Sequence, residues 1–187
     1  MSTSSSTRQT SRFALINAGR QILAEEGISG LSLRAVTRRV GVSATASYRY
    51  FADREHLLAA IATSGVWELT TELEMVDKTS MQPLAAQATT YVSFALENPA
   101  LYRLIFGPER FGIYPELESA LATAYAVLAA RVSKTLTPGA PIAAKSMACW
   151  CLLHGIASLA IDNHLTTSIE APAMQAAQLL NVIIGTG

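Results

Sequence analysis

The sequence is short of charge, of cysteine and of long apolar runs, and each shortage narrows what it can be. Only 15% of its 187 residues are charged and the formal net charge is zero, while half are apolar. A chain of that make-up can build a core, which excludes a solvated, tail-like polymer. The two cysteines, Cys149 and Cys151, would lie roughly 200° apart on a helix, so they neither pair nor chelate one metal easily. They read as small buried hydrophobes in a reducing cytosol. The longest apolar stretch, Met147 to Ile161, is interrupted by His154, Gly155 and Ser158. It is shorter than the ~20 residues that span a bilayer, so it reads as a buried helix. The polar, Ser/Thr-rich start lacks the apolar segment of a secretory signal, and the expectation is a cytoplasmic protein with no membrane partner. Long Val/Ile/Thr alternation is also missing, while Ala and Leu abound, which favours helices over sheets.

Catalytic and metal chemistry are poorly served. His56, His154 and His164 are scattered, so no metal site is expected. No glycine-rich phosphate loop appears, and no cofactor is expected. His154, Ser158 and Asp162 share one helix face and have the residue types of a hydrolase triad. Residues four apart along a helix do not set a base between nucleophile and orienter, and there is no Gly-x-Ser-x-Gly elbow. The expectation is a protein without catalytic residues, not an enzyme.

The charge that is present is unevenly placed. From Met1 to His56 there are eight basic residues, all arginine, against four acids, a balance of +4; the remainder carries −4. A basic first third on an acidic body is the asymmetry expected where one end meets a polyanion.

The local signals divide the chain into helices. Met1 to about Thr10 reads as a disordered polar tail (1–10). A helix follows from about Ser11 to Glu26, with Leu15, Ala18, Ile22 and Leu23 at helical spacing and Gly27 as its stop. Ser32 caps a two-turn helix carrying Leu33, Val36 and Val40. Gly41 suits a tight turn at positive φ, Val42 can plug the angle between the helices, and Ser43 caps a third, short helix to about Tyr48 or Arg49. Asp53 caps a fourth, reaching about Asp77. Two short helices split by Gly-Val-Ser form the pattern of a helix-turn-helix, which needs the first helix as a lid. Beyond Pro83 further helices are predicted at about Pro83–Glu97, Ala100–Phe106, Pro115–Leu136, Ile142–Asn163 and Pro172–Ile184, separated by Pro and Gly breaks.

The run Leu31-Ser32-Leu33-Arg34-Ala35-Val36, Gly41-Val42-Ser43 and Tyr48-Arg49-Tyr50-Phe51-Ala52-Asp53-Arg54 resembles the TetR family. Asn98-Pro99-Ala100-Leu101-Tyr102-Arg103-Leu104-Ile105-Phe106-Gly107-Pro108, with Trp150 and His154-Gly155 after it, is similar to that family's WHG-type C-terminal domain. The resemblance implies an all-α protein with an N-terminal three-helix helix-turn-helix DNA-binding domain (11–56, connecting helix 53–77). An α-helical ligand-binding and dimerisation domain (78–187) follows. It implies a repressor that binds double-stranded operator DNA with palindromic half-sites as a homodimer, and is released by a small hydrophobic effector that reorients the fourth helix.

Site residues follow from the same match. Ala44, Thr45 and Ala46 fall where family members meet base edges; small side chains there suit thymine methyls. Ser47 departs from the apolar or Pro residue usual at its place. Arg34 matches a position that reaches bases or phosphates, while Tyr48, Tyr50 and Arg54 match backbone clamps. Ser32, Ser43 and Thr45 offer hydroxyls, and Phe51 reads as core. The effector pocket is expected around Tyr91, Phe94, Tyr125, Trp150 and His154, fitting a moderately hydrophobic molecule with a polar handle. The dimer is expected through the last two helices, using Met147 to Leu159 and Met174, Leu179, Leu180, Ile183 and Ile184. A helix-turn-helix interaction or nucleoid-type protein without an inducer, and activation in place of repression, stay open.

Overall fold

A computed structural model describes residues 3–107, 114–165 and 172–185; the side chains of residues 3–11, Ala44 and Ala46 lie outside that description. Among the described residues the regular structure is nine helices: α1 (Thr3–Gly30), α2 (Leu33–Val40), α3 (Ala44–Ser47), α4 (Arg54–Thr79), α5 (Pro83–Glu97), α6 (Pro99–Phe106), α7 (Pro115–Thr135), α8 (Ile142–Ile161) and α9 (Pro172–Ile184). The all-α expectation is met. The chain groups into two units, one of residues 1–65 and 100–118, the other of 66–99 and 119–187.

In the first unit α1, α2 and α4 bury Leu15, Ile22, Leu23, Leu33, Val36, Leu57, Leu58 and Ile61, the apolar stripes their spacing predicts. Gly27, at φ 70° and ψ −172°, breaks the helical path at a glycine-favouring φ but not as the left-handed cap expected, and the chain resumes helical turns to Gly30. The start of α1 departs from expectation. Helical backbone begins at Thr3, inside the stretch 1–10 read as a disordered tail. Ser and Thr each cost only about half a kcal/mol in a helix, so turns propagating from the Leu15 region extend through them.

The boundary expected near residue 78 also shifts. Residues 66–77 of α4 go with the second unit, and α6 goes with the first. Leu101, Leu104 and Ile105 of α6 are buried. Leu101 lies so close to Gly65 that a Cβ there would stand 2.8 Å from Leu101 Cδ2.

The second unit packs α5, α8 and α9 together. Thr89 of α5 donates to the carbonyl of Ala173 at the start of α9. Lys145 Nζ, near the start of α8, donates to the Ile183 and Ile184 carbonyls at the end of α9. Helix α9 therefore runs antiparallel to α8, and the Lys145 ammonium satisfies carbonyls that a helix end leaves bare.

Within the single chain, helix α8 is only partly buried. It is long and apolar enough to cross a membrane by length and composition alone, yet only 28% of its most apolar window is buried. Ser146, Cys149, Leu153, Ile156 and Ala157 point inward. Met147, Ala148, Cys151, Gly155, Ser158 and Leu159 are exposed. Helix α9 divides likewise, with Ala173, Ala176, Leu180 and Ile184 inside and Met174, Gln178, Leu179 and Val182 outside. Leu153, Ile156, Leu180 and Ile184, expected to pair two copies, belong instead to the chain's own core. Of the cysteines, Cys149 is buried and Cys151 exposed; they diverge as their spacing requires, but only one is a core residue.

Candidate functional site

The helix-turn-helix begins with a cap. Ser32 is extended (φ −152°), and its Oγ accepts from the Ala35 amide at 3.1 Å, which settles one bare amide of α2. Ser32 is thus half-buried and committed to the helix. Gly41 closes α2 at φ 77°, a left-handed conformation, its amide donating to the Arg38 carbonyl. The next amide, of Val42, reaches the Thr37 carbonyl at 3.0 Å. The angle between α2 and α3 is filled by Thr37 (2% exposed) and Ser47 (0%), and Val42 is 39% exposed. Val42 is therefore not the plug it was expected to be. Its amide is spent on closing the turn, and the side chain faces out. Ser47 holds the buried position, and its carbonyl accepts from the Tyr50 and Phe51 amides, both at 2.9 Å.

Around this frame Arg34, Ser43 and Thr45 are exposed, Tyr48 is 64% exposed and Tyr50 half-buried. Ala44 and Ala46 lie on α3, their side chains outside the described set. Phe51 is core, with the Arg12 guanidinium 5.6 Å from its ring centre.

Arg54, expected as a phosphate clamp, also has partners within the chain. Its Nε donates to the Leu31 carbonyl at 2.8 Å and its Nη2 to the Ile28 carbonyl at 2.6 Å. The guanidinium ties the start of α4 to the α1–α2 link. Local spacing gives no sign of this, because the partners are 23 and 26 residues away in sequence.

Two further arginines were not singled out. Arg38 lies one turn after Arg34 and is exposed like it, and Arg49 is exposed beside Tyr48; the i, i+4 spacing of the first pair was the available signal. Arg39 is different. Its guanidinium grips Glu25 with two bonds of 2.9 and 2.6 Å, and the pair holds the Glu25 carboxyl below its ordinary range. That cation is matched within the chain. Asp53 caps α4 through the His56 amide at 2.9 Å, and this bond, with a second to the His56 ring, lowers its pKa.

In the second unit four of the five expected effector residues meet. The Tyr91 ring stacks on His154 at 27° and meets Trp150 edge-on, both at 5.5 Å. Trp150 lies 4.9 Å from His154, and Tyr125 packs on Trp150 at 88° and 5.6 Å. Tyr91 is buried; Tyr125, Trp150 and His154 are half-buried. The Tyr91 hydroxyl shares a short hydrogen bond with His154 Nδ1, and burial pushes the imidazole down to about 4. His154 is thus a neutral ring at pH 7. It is bonded to a tyrosine, while Ser158 and Asp162 are exposed, so no triad forms. Phe94 is buried but has no described ring contact with this cluster. One turn before Tyr91, Gln87 is fully buried with its Oε1 unmatched, and Ser146 Oγ, one turn before Trp150, is likewise unmatched. Among the described residues no group of three or more His, Cys, Asp or Glu stands ready for a metal.

Two short helices at a left-handed glycine turn, lidded by a third and lined outside with guanidinium and hydroxyl groups, define a helix-turn-helix DNA-binding module. The comparisons agree. Residues 15–61 match the bacterial regulatory proteins of the tetR family, and residues 84–182, more than half of the chain, match the tetracyclin repressor-like C-terminal domain. The chain belongs to the TetR family of transcriptional regulators, which are not enzymes.

It is 29% identical over 119 residues to the HTH-type transcriptional regulator Rv1816 of Mycobacterium tuberculosis, covering 58% of this chain and 50% of that protein. The chain thus spans about half the length of the curated relatives it matches. A protein of unknown function from Rhodococcus sp. RHA1 has a solved structure similar at TM-score 0.80 and 28% identity, over 94% of both chains. The transcriptional regulator FadR from Bacillus subtilis, solved in complex with stearoyl-CoA, is similar at TM-score 0.73 over 92% of this chain and 97% of its own. At 12% identity it shares the fold alone.

Proposed function

We propose that the chain is a cytoplasmic transcriptional repressor that binds a palindromic operator as a homodimer and leaves it when a small hydrophobic molecule binds the second unit. The observation that carries this reading is the outward set on α2 and α3 and just beyond: Arg34, Ser43, Thr45 and Tyr48, all exposed beside a rigidly capped turn. An arginine there takes guanine O6 and N7 bidentately, and the hydroxyls take phosphate or base edges.

The homodimer rests on α8 and α9. Their exposed faces put Met147, Cys151, Gly155 and Leu159 in one row and Met174, Gln178 and Val182 in another. A Cβ added at Gly155 would meet nothing within 4 Å. A mid-helix glycine costs about 1 kcal/mol relative to Ala, and the chain's own packing does not require it. Close approach of a helix from a second copy does. The effector site rests on the Tyr91, Tyr125, Trp150 and His154 cluster, whose apolar rings and polar tips suit a moderately hydrophobic molecule with one polar group. Its binding changes the course of α4 and with it the half-site spacing.

The test is selection of bound duplexes from a random library at ~150 mM salt, since affinity for DNA is salt-dependent. A palindromic consensus supports the reading. Binding that vanishes as salt rises, with no consensus, overturns it in favour of a non-specific helix-turn-helix protein.

A further inference from the structure

The first turn of α7 is fastened to the DNA-reading unit at two places. Tyr114, whose carbonyl accepts from the Glu118 amide at the start of α7, lays its ring edge-on against His56 at 5.3 Å and 84°. Its hydroxyl donates to Glu55 Oε2 at 3.4 Å. Desolvation and the nearby Glu55 and Asp53 carboxylates raise the Tyr114 pKa, so the hydroxyl keeps its proton as donor. Two residues on, Glu116 meets Arg12 of α1 at 3.6 Å. Arg12 in turn covers Phe51, the residue just after the α3 turn. All of these groups lie within one unit.

The first turn of α4 is where the exit of α3 is decided. The Tyr50 and Phe51 amides hang on Ser47 of α3, Asp53, two residues after Phe51, caps α4, and Arg54 anchors it to Ile28 and Leu31. A group that grips His56 and Glu55 therefore acts on the direction of α3 without facing DNA.

We propose that Tyr114, seconded by Glu116, is a positioning residue for DNA reading: it clasps the first turn of α4 and so fixes the angle at which α3 is presented. The proposal rests on the operator reading above, so its test has one arm that needs no DNA. In the full chain, amide exchange at His56 and Leu57 should quicken about fivefold or more in Tyr114→Ala, less in Tyr114→Phe, with the Val36 and Thr37 amides unchanged. In the other arm, consensus duplexes are varied by one and two base pairs in half-site spacing. The wild type should prefer one spacing about tenfold over its neighbours, because dimeric half-site geometry is rigid. Tyr114→Ala should flatten that preference to about threefold or less, while the melting temperature stays within about 2 °C, as expected at a partly exposed site. Arg12→Gln with Glu116→Gln should move both readings in the same direction by less.

Unchanged exchange at His56 and Leu57 overturns the clasp, as does an affinity loss equal at every spacing. If the wild type selects no palindrome, the operator reading fails; the exchange arm still decides whether Tyr114 holds α4.

Discussion

Arg131 holds Asp77 in a fork, Nε to Oδ1 and Nη2 to Oδ2 at 2.8 Å, and the fork joins the last turns of α4 to α7. Both side chains are about one-fifth exposed. Gln87 Nε2 adds a third bond to Oδ1 at 3.2 Å. The Arg131 guanidinium holds the Asp77 carboxyl below its usual range.

Because the folded pKa is depressed, the stabilisation is present above the unfolded value of about 3.9 and is lost as pH falls through the folded one. Asp77→Asn should lower stability at pH 7 by about 1–3 kcal/mol, since it leaves a partly buried guanidinium without its counter-charge. Urea unfolding of both proteins should show that gap close as pH drops below about 4. A gap that persists undiminished at pH 3 would show that the carboxylate's charge is not what matters.

His154 titrates in the opposite sense to a salt-bridged histidine. Its pKa falls to about 4 on burial, so between the unfolded value of about 6.5 and that figure the unfolded chain binds the extra proton. Stability should therefore drop as pH falls from 6.5 to 4. The drop should be about 1–3 kcal/mol, because solvent still reaches the half-buried ring. His154→Gln keeps a partner for the Tyr91 hydroxyl and removes the titration, so its acid slope in that window should be flatter. Parallel slopes would refute the desolvated histidine.

Where the sequence was legible, local chemistry decided the outcome. Pro83 and Pro172 start α5 and α9 at the expected residues, Gly41 stands at positive φ, and Ser32 caps α2. Tyr91, Tyr125, Trp150 and His154 do meet. What stayed hidden depends on contacts far apart in the chain. Nothing near Arg54 announces the Ile28 carbonyl, and nothing near Tyr114 announces His56. Helix α8 is apolar all round, so periodicity cannot say which face meets α5 and α9 and which stays open. Val42 faces outward and not into the angle between the helices, its amide being spent on the Thr37 carbonyl at the turn.

Arg54 and Arg34 should separate cleanly. Arg54→Lys removes a fork that ties two backbone carbonyls, and a single ammonium cannot reproduce it. Loss of about 1–2 kcal/mol in stability is expected, read as a lower melting temperature without DNA. Arg34→Ala should leave that temperature alone and cost about 1–3 kcal/mol of discrimination at one base position, read by competition with single-base operator variants. If Arg54→Lys melts like the wild type and merely reduces the salt dependence of binding, its role is the phosphate contact after all.

The open faces of α8 and α9 give the last expectation. Leu159 is 45% exposed on the row that includes Gly155, and Val182 is 72% exposed on α9. Leu159→Glu removes no inward contact of α8, so the far-UV spectrum and the monomer fold should persist. In a two-fold interface the same change appears twice. A penalty of about 1.5 kcal/mol per copy then weakens association by about two powers of ten. Sedimentation at micromolar concentration should show the wild type as a dimer and Leu159→Glu shifted towards monomer. Gly155→Leu, at an exposed position where an added Cβ meets nothing within 4 Å, should act in the same direction by blocking close helix approach. If both variants sediment like a dimeric wild type, these faces do not join the copies, and the glycine in α8 needs another explanation.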